Sequence, residues 1–142
     1  MDLNYGFIFE KTGKKIKQSL QRRFAAMGYD ITVDQWVILH ELFVHGTQNQ
    51  VDLCERVFKD APTVTRMIEL LIRKGLILRE PCTDDRRKYR ISLSKSGRVL
   101  VDKLLPEVIE FRKLGWTGLN QTDITQLKRI TQKIFDNLEY AG

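Results

Sequence analysis

The sequence predicts a mainly α-helical fold carrying one small β-hairpin. Apolar residues recur at helical spacing from Phe9 to Leu138, interrupted once by a strand-like alternation in the middle of the chain. Charge is divided unevenly: residues 59 to 98 hold eleven Lys/Arg against five Asp/Glu. Residues 1 to 58 balance at seven of each and residues 99 to 142 at six of each, so the whole net charge of +6 belongs to the middle segment. At 142 residues and 42% hydrophobic content, the chain suits one domain or one intertwined subunit. A chain of that length buries roughly 68–70% of its unfolded surface.

The first helix spaces Phe9, Ile16, Leu20, Phe24 and Met27 along one side, and Gly28 is expected to close it in a left-handed cap. Its beginning, "YGFIF", is more apolar than one face of a lone helix needs, which points to a second partner. In "ITVDQW" a capping box is expected, with Thr32 as cap, Gln35 answering from the third position, and Ile31 stapling onto Trp36. That second helix should run to about His45 and stop at Gly46. The pattern recurs in "TQNQ", so Thr47 and Gln50 are expected to open a short third helix reaching about Phe58. A fourth helix should begin near residue 61, capped by Asp60 or Ala61, because Pro62 loses nothing in a first turn where its missing N–H would have no partner.

On this fourth helix, at 100° per residue, Met67, Ile68, Leu71 and Ile72 fall within about 80° of Val64, while Pro62, Thr65, Arg66, Glu69 and Arg73 lie opposite. A short helix, a tight connection and a second helix with a polar outer face resemble a helix-turn-helix, whose second helix enters a major groove N-terminus first. Thr63 or Thr65 can reach base edges or phosphate, and Arg66 can bond guanine at O6 and N7 together. An ordinary amphipathic helix would show the same outer face, so the continuation decides. After Gly75, "LILRE" and "YRISL" read as paired strands around the tip "PCTDDRRK", with Arg90 and Ser92 outward and Ile91 and Leu93 inward. Helix-turn-helix followed by a basic hairpin is the winged-helix arrangement. Arg86, Arg87 and Lys88 would lie at its tip, where an arginine can enter a minor groove about 6 Å wide.

"APTVTRMIELLIRKGLI" and "DDRRKYRISLSKSG" resemble the recognition helix and wing of the MarR family of bacterial transcriptional regulators. Asp85, Arg87, Leu93 and Gly97 match the wing signature, and Ser94 stands where the family places threonine. The resemblance extends over nearly the whole chain. It implies that Arg87 is a minor-groove arginine and Asp85 the carboxylate that orients it. Leu70 and Ile72 depart from the family's more polar choices; with Leu70 about 240° around from Val64, both are expected to pack under the wing, the alternative being that Leu70 reads a thymine methyl. Family members bind small aromatic ligands near the position of Trp36, although the staple with Ile31 already accounts for that residue. Cysteine-based peroxide sensing near the N-terminus does not carry over, because no cysteine precedes Cys54.

The remaining mass also points to pairing. Val99, Leu100, Leu104, Val108, Phe111 and Leu114 keep helical spacing, with Pro106 expected to kink or break the helix. A last helix, capped by Asn120 with Asp123 at the third position, is expected to bury Ile124, Leu127, Ile130, Ile134 and Leu138. These faces exceed what a winged helix needs and suit a second copy of the chain. The expected organisation is therefore an N-terminal dimerisation helix (1–30), a winged helix-turn-helix DNA-binding lobe (31–98) and C-terminal dimerisation helices (99–142).

Other chemistry is sparse. No stretch approaches a signal peptide or the ~18 apolar residues of a membrane span, so a cytoplasmic location without membrane partners is expected. His40 and His45, about 140° apart on one helix, do not suit a shared metal, and Cys54 suits the core. Cys82 precedes the charged tip, where a redox role is an alternative to a plain surface thiol. No nucleophile triad, glycine-rich phosphate loop or paired carboxylates appear, so neither an enzyme nor a cofactor is expected. The reading is a homodimeric, sequence-specific regulator of palindromic double-stranded DNA, a repressor released by a small aromatic effector. The candidate DNA-contacting residues are Pro62, Thr63, Thr65, Arg66, Arg73, Asp85, Arg86, Arg87 and Lys88. The alternatives are a winged-helix module docking protein or RNA, and an ArsR-type metal-responsive sensor.

Overall fold

The computed structural model describes residues 3–57 and 59–142. Six helices and three short strands follow one another as α1 (Tyr5–Ala26), α2 (Val33–His45), β1 (Gln48–Asn49), α3 (Gln50–Val57), α4 (Ala61–Arg73), β2 (Ile77–Pro81), β3 (Tyr89–Leu93), α5 (Lys95–Gly115) and α6 (Gln121–Ala141). They divide into two compact units, Met1–Val108 and Ile109–Gly142.

In the first unit the helix boundaries follow from local chemistry. Asn4 caps α1 by accepting the Phe7 amide at 3.1 Å. Thr32 and Gln35 form the expected reciprocal box on α2, and Ile31 and Trp36 on either side of it are both buried. Asp60 caps α4 through the Thr63 amide at 2.9 Å, with Pro62 in the first turn. Both α1 and α4 end in the same motif. After α4, Gly75 N–H bonds the Ile72 carbonyl and Leu76 N–H bonds the Leu71 carbonyl, which requires the positive φ of 72° that Gly75 adopts.

Within the first unit, the buried side chains bring every element except β1 into one core. Phe24 of α1 meets Trp36 of α2 edge-on at 6.0 Å. Leu39 and Leu42 of α2, Leu53 of α3, and Val64, Ile68 and Leu71 of α4 are all but inaccessible, as are Ile77 and Ile91 of the strands. Complete burial of each is worth roughly 1.5–3 kcal/mol. From α5, Val101, Leu104 and Val108 complete the core, whereas Val99, expected on that face, is exposed.

The hairpin is part of a three-stranded antiparallel sheet of order β1-β3-β2. β2 and β3 pair with Ile77 opposite Leu93, Arg79 opposite Ile91 and Pro81 opposite Tyr89. On the far side of β3, Gln48 pairs with Ile91 and Asn49 with Arg90. This pairing corrects the expected start of the third helix. Residues 48 and 49 are drawn into the sheet, so Thr47 does not cap; Asn49 does, accepting the Asp52 amide at 2.8 Å and donating to its carboxylate at 3.0 Å. Gln50 is thereby released to face α4. The expected helix end at Phe58 lies outside the described residues.

The turn from β3 into α5 is closed by Ser94. Its hydroxyl donates to the Gly75 carbonyl at 2.6 Å and accepts the Gly97 amide at 3.0 Å, while its own amide bonds the Leu76 carbonyl at 3.1 Å. Gly97 lies so close to that turn that a Cβ would stand 2.0 Å from the Leu76 carbonyl oxygen. Of the kink or break expected at Pro106, the break does not occur: α5 is continuous around it. An interior proline costs about 3 kcal/mol, and burial of Val101, Leu104 and Val108 on both sides of it outweighs that cost.

In the second unit, the end of α5 turns through Gly118, where Leu119 N–H bonds the Trp116 carbonyl at 2.9 Å, into α6. Asn120 and Asp123 form the expected capping box. The expected burial of α6 is absent within one chain: Leu127, Ile130 and Leu138 are 45%, 44% and 56% exposed, and Ile124 and Ile134 are only half-buried.

Candidate nucleic-acid interface

The outer face of α4 begins with a hydrogen-bonded row. Asp60 accepts both the amide and the hydroxyl of Thr63, and Arg66 Nη2 approaches Thr63 Oγ1 at 3.4 Å. The Thr63 bonds, then the nearby Arg66 charge, hold the Asp60 carboxyl below its usual range. The row displays the Arg66 guanidinium beside exposed Pro62 at the helix start. It also means that one N-terminal amide already has an anion, so attraction of phosphate there falls more to Arg66 than to bare N–H groups.

Thr65 faces another way. It is half-buried, and its hydroxyl accepts from Gln50 Nε2 of α3 at 3.1 Å. Arg73 is exposed at the opposite end of α4, about 15 Å along the axis from Thr63. Between them Glu69 is engaged by Arg79 of β2, whose guanidinium also lies 5.0 Å from the Tyr89 ring centroid. This carboxylate–guanidinium–ring stack ties α4 to the β2–β3 hairpin. Leu70 does not pack under the wing as expected: it is 42% exposed, while Ile72 is half-buried.

At the wing tip, Cys82 N–H bonds the Lys88 carbonyl at 2.8 Å and Lys88 N–H bonds the Asp85 carbonyl at 3.0 Å, closing a tight loop. Within it Asp85 accepts the Arg87 backbone amide at 3.0 Å, Nε at 3.1 Å and Nη2 at 3.3 Å. These bonds hold the Asp85 carboxyl below its usual range. The Arg87 side chain is nonetheless 90% exposed. A long, flexible cation is thus fixed in direction while its outer edge stays open, and a charge-assisted two-point pair sets that direction more firmly than a single bond would. Arg86 and Lys88 flank it, also exposed.

Between wing tip, α3 and the start of α4 lies a cleft of about 480 Å³, lined by Asn49, Gln50, Thr65, Arg87, Lys88 and Tyr89 among others. The structure therefore brings Thr65, Arg87 and Lys88 of the expected set to one cleft, and joins Thr63 and Arg66 in the separate hydrogen-bonded row on α4. Arg73 stands apart. Sequence reasoning missed Asn49 and Gln50, for which the only signal was the amide-rich run "TQNQ", here misassigned to a cap. It also missed the role of Ser94, although a hydroxyl three residues before Gly97 is the ordinary spacing of an N-cap.

The remaining candidates are engaged elsewhere. His40 stacks on Trp36 at 5.3 Å and His45 lies 3.4 Å from Glu41. Cys54 and Cys82 are free thiols, both half-buried, and burial pushes the Cys54 thiol up.

Residues 31–89 match the model of the MarR family. The HTH-type transcriptional repressor NicR of Pseudomonas putida is 28% identical over 140 residues, covering 95% of this chain and 89% of the relative. Among solved structures, a complex of S. aureus MepR with DNA superposes with a TM-score of 0.87 at 25% identity, covering 96% of this chain and 99% of MepR. Bordetella bronchiseptica BpsR, whose DNA binding is regulated by 6-hydroxynicotinic acid, superposes at 0.85 with 24% identity, covering 94% of each chain. With the capped helix α4, the tied hairpin and the Ser94–Gly97 turn in place, residues 31–89 are similar to the MarR family in sequence, and the chain is similar to these regulators in fold.

Proposed function

We propose that this protein is a homodimeric, sequence-specific repressor that places α4 in a major groove and Arg87 in the neighbouring minor groove of a palindromic operator. The observation that carries this reading is the Asp85-held, exposed Arg87 across a cleft from Ala61 and Thr65 at the start of α4. Arg66 and Thr63 would contact bases, and Arg86, Lys88 and Arg73 phosphates. Asp85 acts by presetting Arg87, which lowers the ordering loss on binding. The DNA-bound form of MepR and the repressor designation of NicR support the same assignment.

Residues 1–30 and 99–142 serve pairing in this reading, and residues 31–98 serve DNA binding. Tyr5, Phe7, Ile8 and Phe9 of α1 and Leu127, Ile130 and Leu138 of α6 are all at least 40% exposed, and a second copy would cover them. A two-fold pair would set its recognition helices roughly 34 Å apart, one turn of DNA. A small aromatic effector would release the operator by favouring a different spacing, and the regulation of BpsR by 6-hydroxynicotinic acid makes an aromatic acid the first class to test. Among the described residues no helix is long and apolar enough to cross a membrane, and the operator reading places the protein in the cytoplasm.

The test is binding to inverted-repeat and scrambled duplexes over a salt series, with the inverted repeat recovered by genomic selection. Specific readout keeps the two affinities several hundredfold or more apart at moderate salt, on the order of 10³ or above for established regulators. Equal affinities that fall together with salt would refute the proposal.

A further inference from the structure

The loop between α1 and α2, with the first turn of α2, touches more of the molecule than a connection needs to. On its α1 side, Gln21 uses both ends of its amide: Nε2 donates to the Ile31 carbonyl at 2.8 Å and Oε1 accepts the Val33 amide at 2.9 Å. Lys17 of α1 adds a 2.7 Å contact to Asp34 Oδ2. On its other side the same six residues reach both ends of α4. Lys59, next to the cap Asp60, lies 3.5 Å from Asp34 Oδ1. At the far end, Lys74 Nζ donates to the Asp30 carbonyl at 2.6 Å and to Gln35 Oε1 at 3.2 Å. Gln35 is 5% exposed, and its Oε1 also accepts the Thr32 amide at 3.2 Å.

We propose that residues 30–35 form a coupling block through which α1 sets the position of the recognition helix, with Asp34 and Lys74 as its positioning residues. Helix α4 is about 20 Å long and its apolar face is held in the core by Val64, Ile68 and Leu71, so polar ties at its ends decide which neighbouring segment it follows. Ties at both ends, converging on a six-residue segment, make it follow that segment as a rigid body. Gln21 and Lys17 in turn join the segment to α1 at two points, one turn apart. The beginning of α1 carries the exposed aromatic residues that a second subunit would cover. A change in subunit arrangement therefore reaches the N-terminal and C-terminal ends of α4 together. The bonds differ in weight: the Asp30 carboxylate is fully exposed and adds little to the Lys74 contact, whereas the carbonyl of Asp30 and the buried Gln35 amide hold it by hydrogen bonds to a charged donor.

This link rests on the DNA-binding reading only for its functional consequence, and its test separates the two. Full-length Asp34→Asn, Lys74→Met and the double variant are compared with wild type and with Asp34→Glu and Lys74→Arg. Amide hydrogen exchange is followed at both ends of α4 and in the middle of α2, alongside affinity for the selected inverted repeat and a scrambled duplex. Faster exchange at both α4 ends is expected, with Ile38 and Leu39 of α2 unchanged. Affinity for the inverted repeat should be lower by about five- to tenfold in the double variant, with scrambled-duplex binding unaltered and both effects smaller in the conservative variants. Wild-type exchange at the α4 ends, or uniform acceleration across α2 and α4, overturns the coupling block. A wild-type protein that treats both duplexes alike overturns the functional reading instead, and exchange then still decides the link.

Discussion

Truncating Arg87 to alanine isolates the wing from the rest of the interface. In the free protein this side chain is 90% exposed, and its guanidinium hydrogen-bonds Asp85. Arg87→Ala should therefore leave Tm within about 2 °C of wild type. On DNA it removes the planar fork that follows the minor-groove field, and it leaves the Asp85 carboxylate facing phosphate without its neutralising partner. A hydrogen bond from a charged donor is worth roughly 1.5–3 kcal/mol, about ten- to a hundredfold, so operator affinity should fall by about that factor per wing at moderate salt. Losing one cation per wing should also lower the slope of log affinity against log salt by about two for the dimer. Fluorescence anisotropy with a labelled operator at several salt concentrations reads both quantities. Adding Asp85→Ala to Arg87→Ala should recover part of the loss, because the uncompensated carboxylate is gone. Asp85→Ala alone should weaken binding only severalfold, since the arginine remains but is no longer aimed. An Arg87→Ala protein with wild-type affinity and wild-type salt slope would refute the minor-groove role, and no recovery in the double variant would refute the account of Asp85.

Arg66→Ala should relax preference at one or two base positions per half-site, read by selection from randomised duplexes; a uniform loss would mark Arg66 as a phosphate contact instead. Gly97→Ala must displace the Leu76 backbone, since its Cβ would lie 2.0 Å from that carbonyl oxygen, and a loss of about 3 kcal/mol or more is expected in denaturant unfolding. Partial burial raises the Asp34 pKa, but the Lys17 hydrogen bond and the charges of Lys59 and Lys17 outweigh it and hold the group below its usual range. Its contribution to stability is thus complete at neutral pH and disappears as pH falls through the folded-state value, so Asp34→Asn should flatten the acid limb of the stability profile. Ile130→Glu on the open face of α6 should turn a dimer into a monomer in sedimentation, and an unchanged mass would exclude that face from pairing.

The features that were legible in the sequence are those decided within a turn of helix or a single hairpin. Thr32 and Gln35 cap α2 because their partners are three residues away, the same holds for Asn120 with Asp123, and Asp85 meets Arg87 two residues away. The pattern at Thr47 and Gln50 was as good locally and failed, because β3, some forty residues further along the chain, offers Gln48 and Asn49 a strand edge. A cap saves about one orphaned amide, whereas pairing with β3 satisfies backbone groups of two residues and covers the edge strand. The same long-range competition freed Gln50 to bond Thr65, which turned a residue expected to face DNA partly inward. The break offered for Pro106 does not occur for a related reason: propensity describes an isolated helix, and α5 carries buried side chains on both sides of the proline. For α6 the periodicity of Ile124, Leu127, Ile130, Ile134 and Leu138 identified a face that needs covering and said nothing of what covers it. An apolar stripe reports a demand for burial, and a demand that one chain leaves unmet is itself the physical argument for a second.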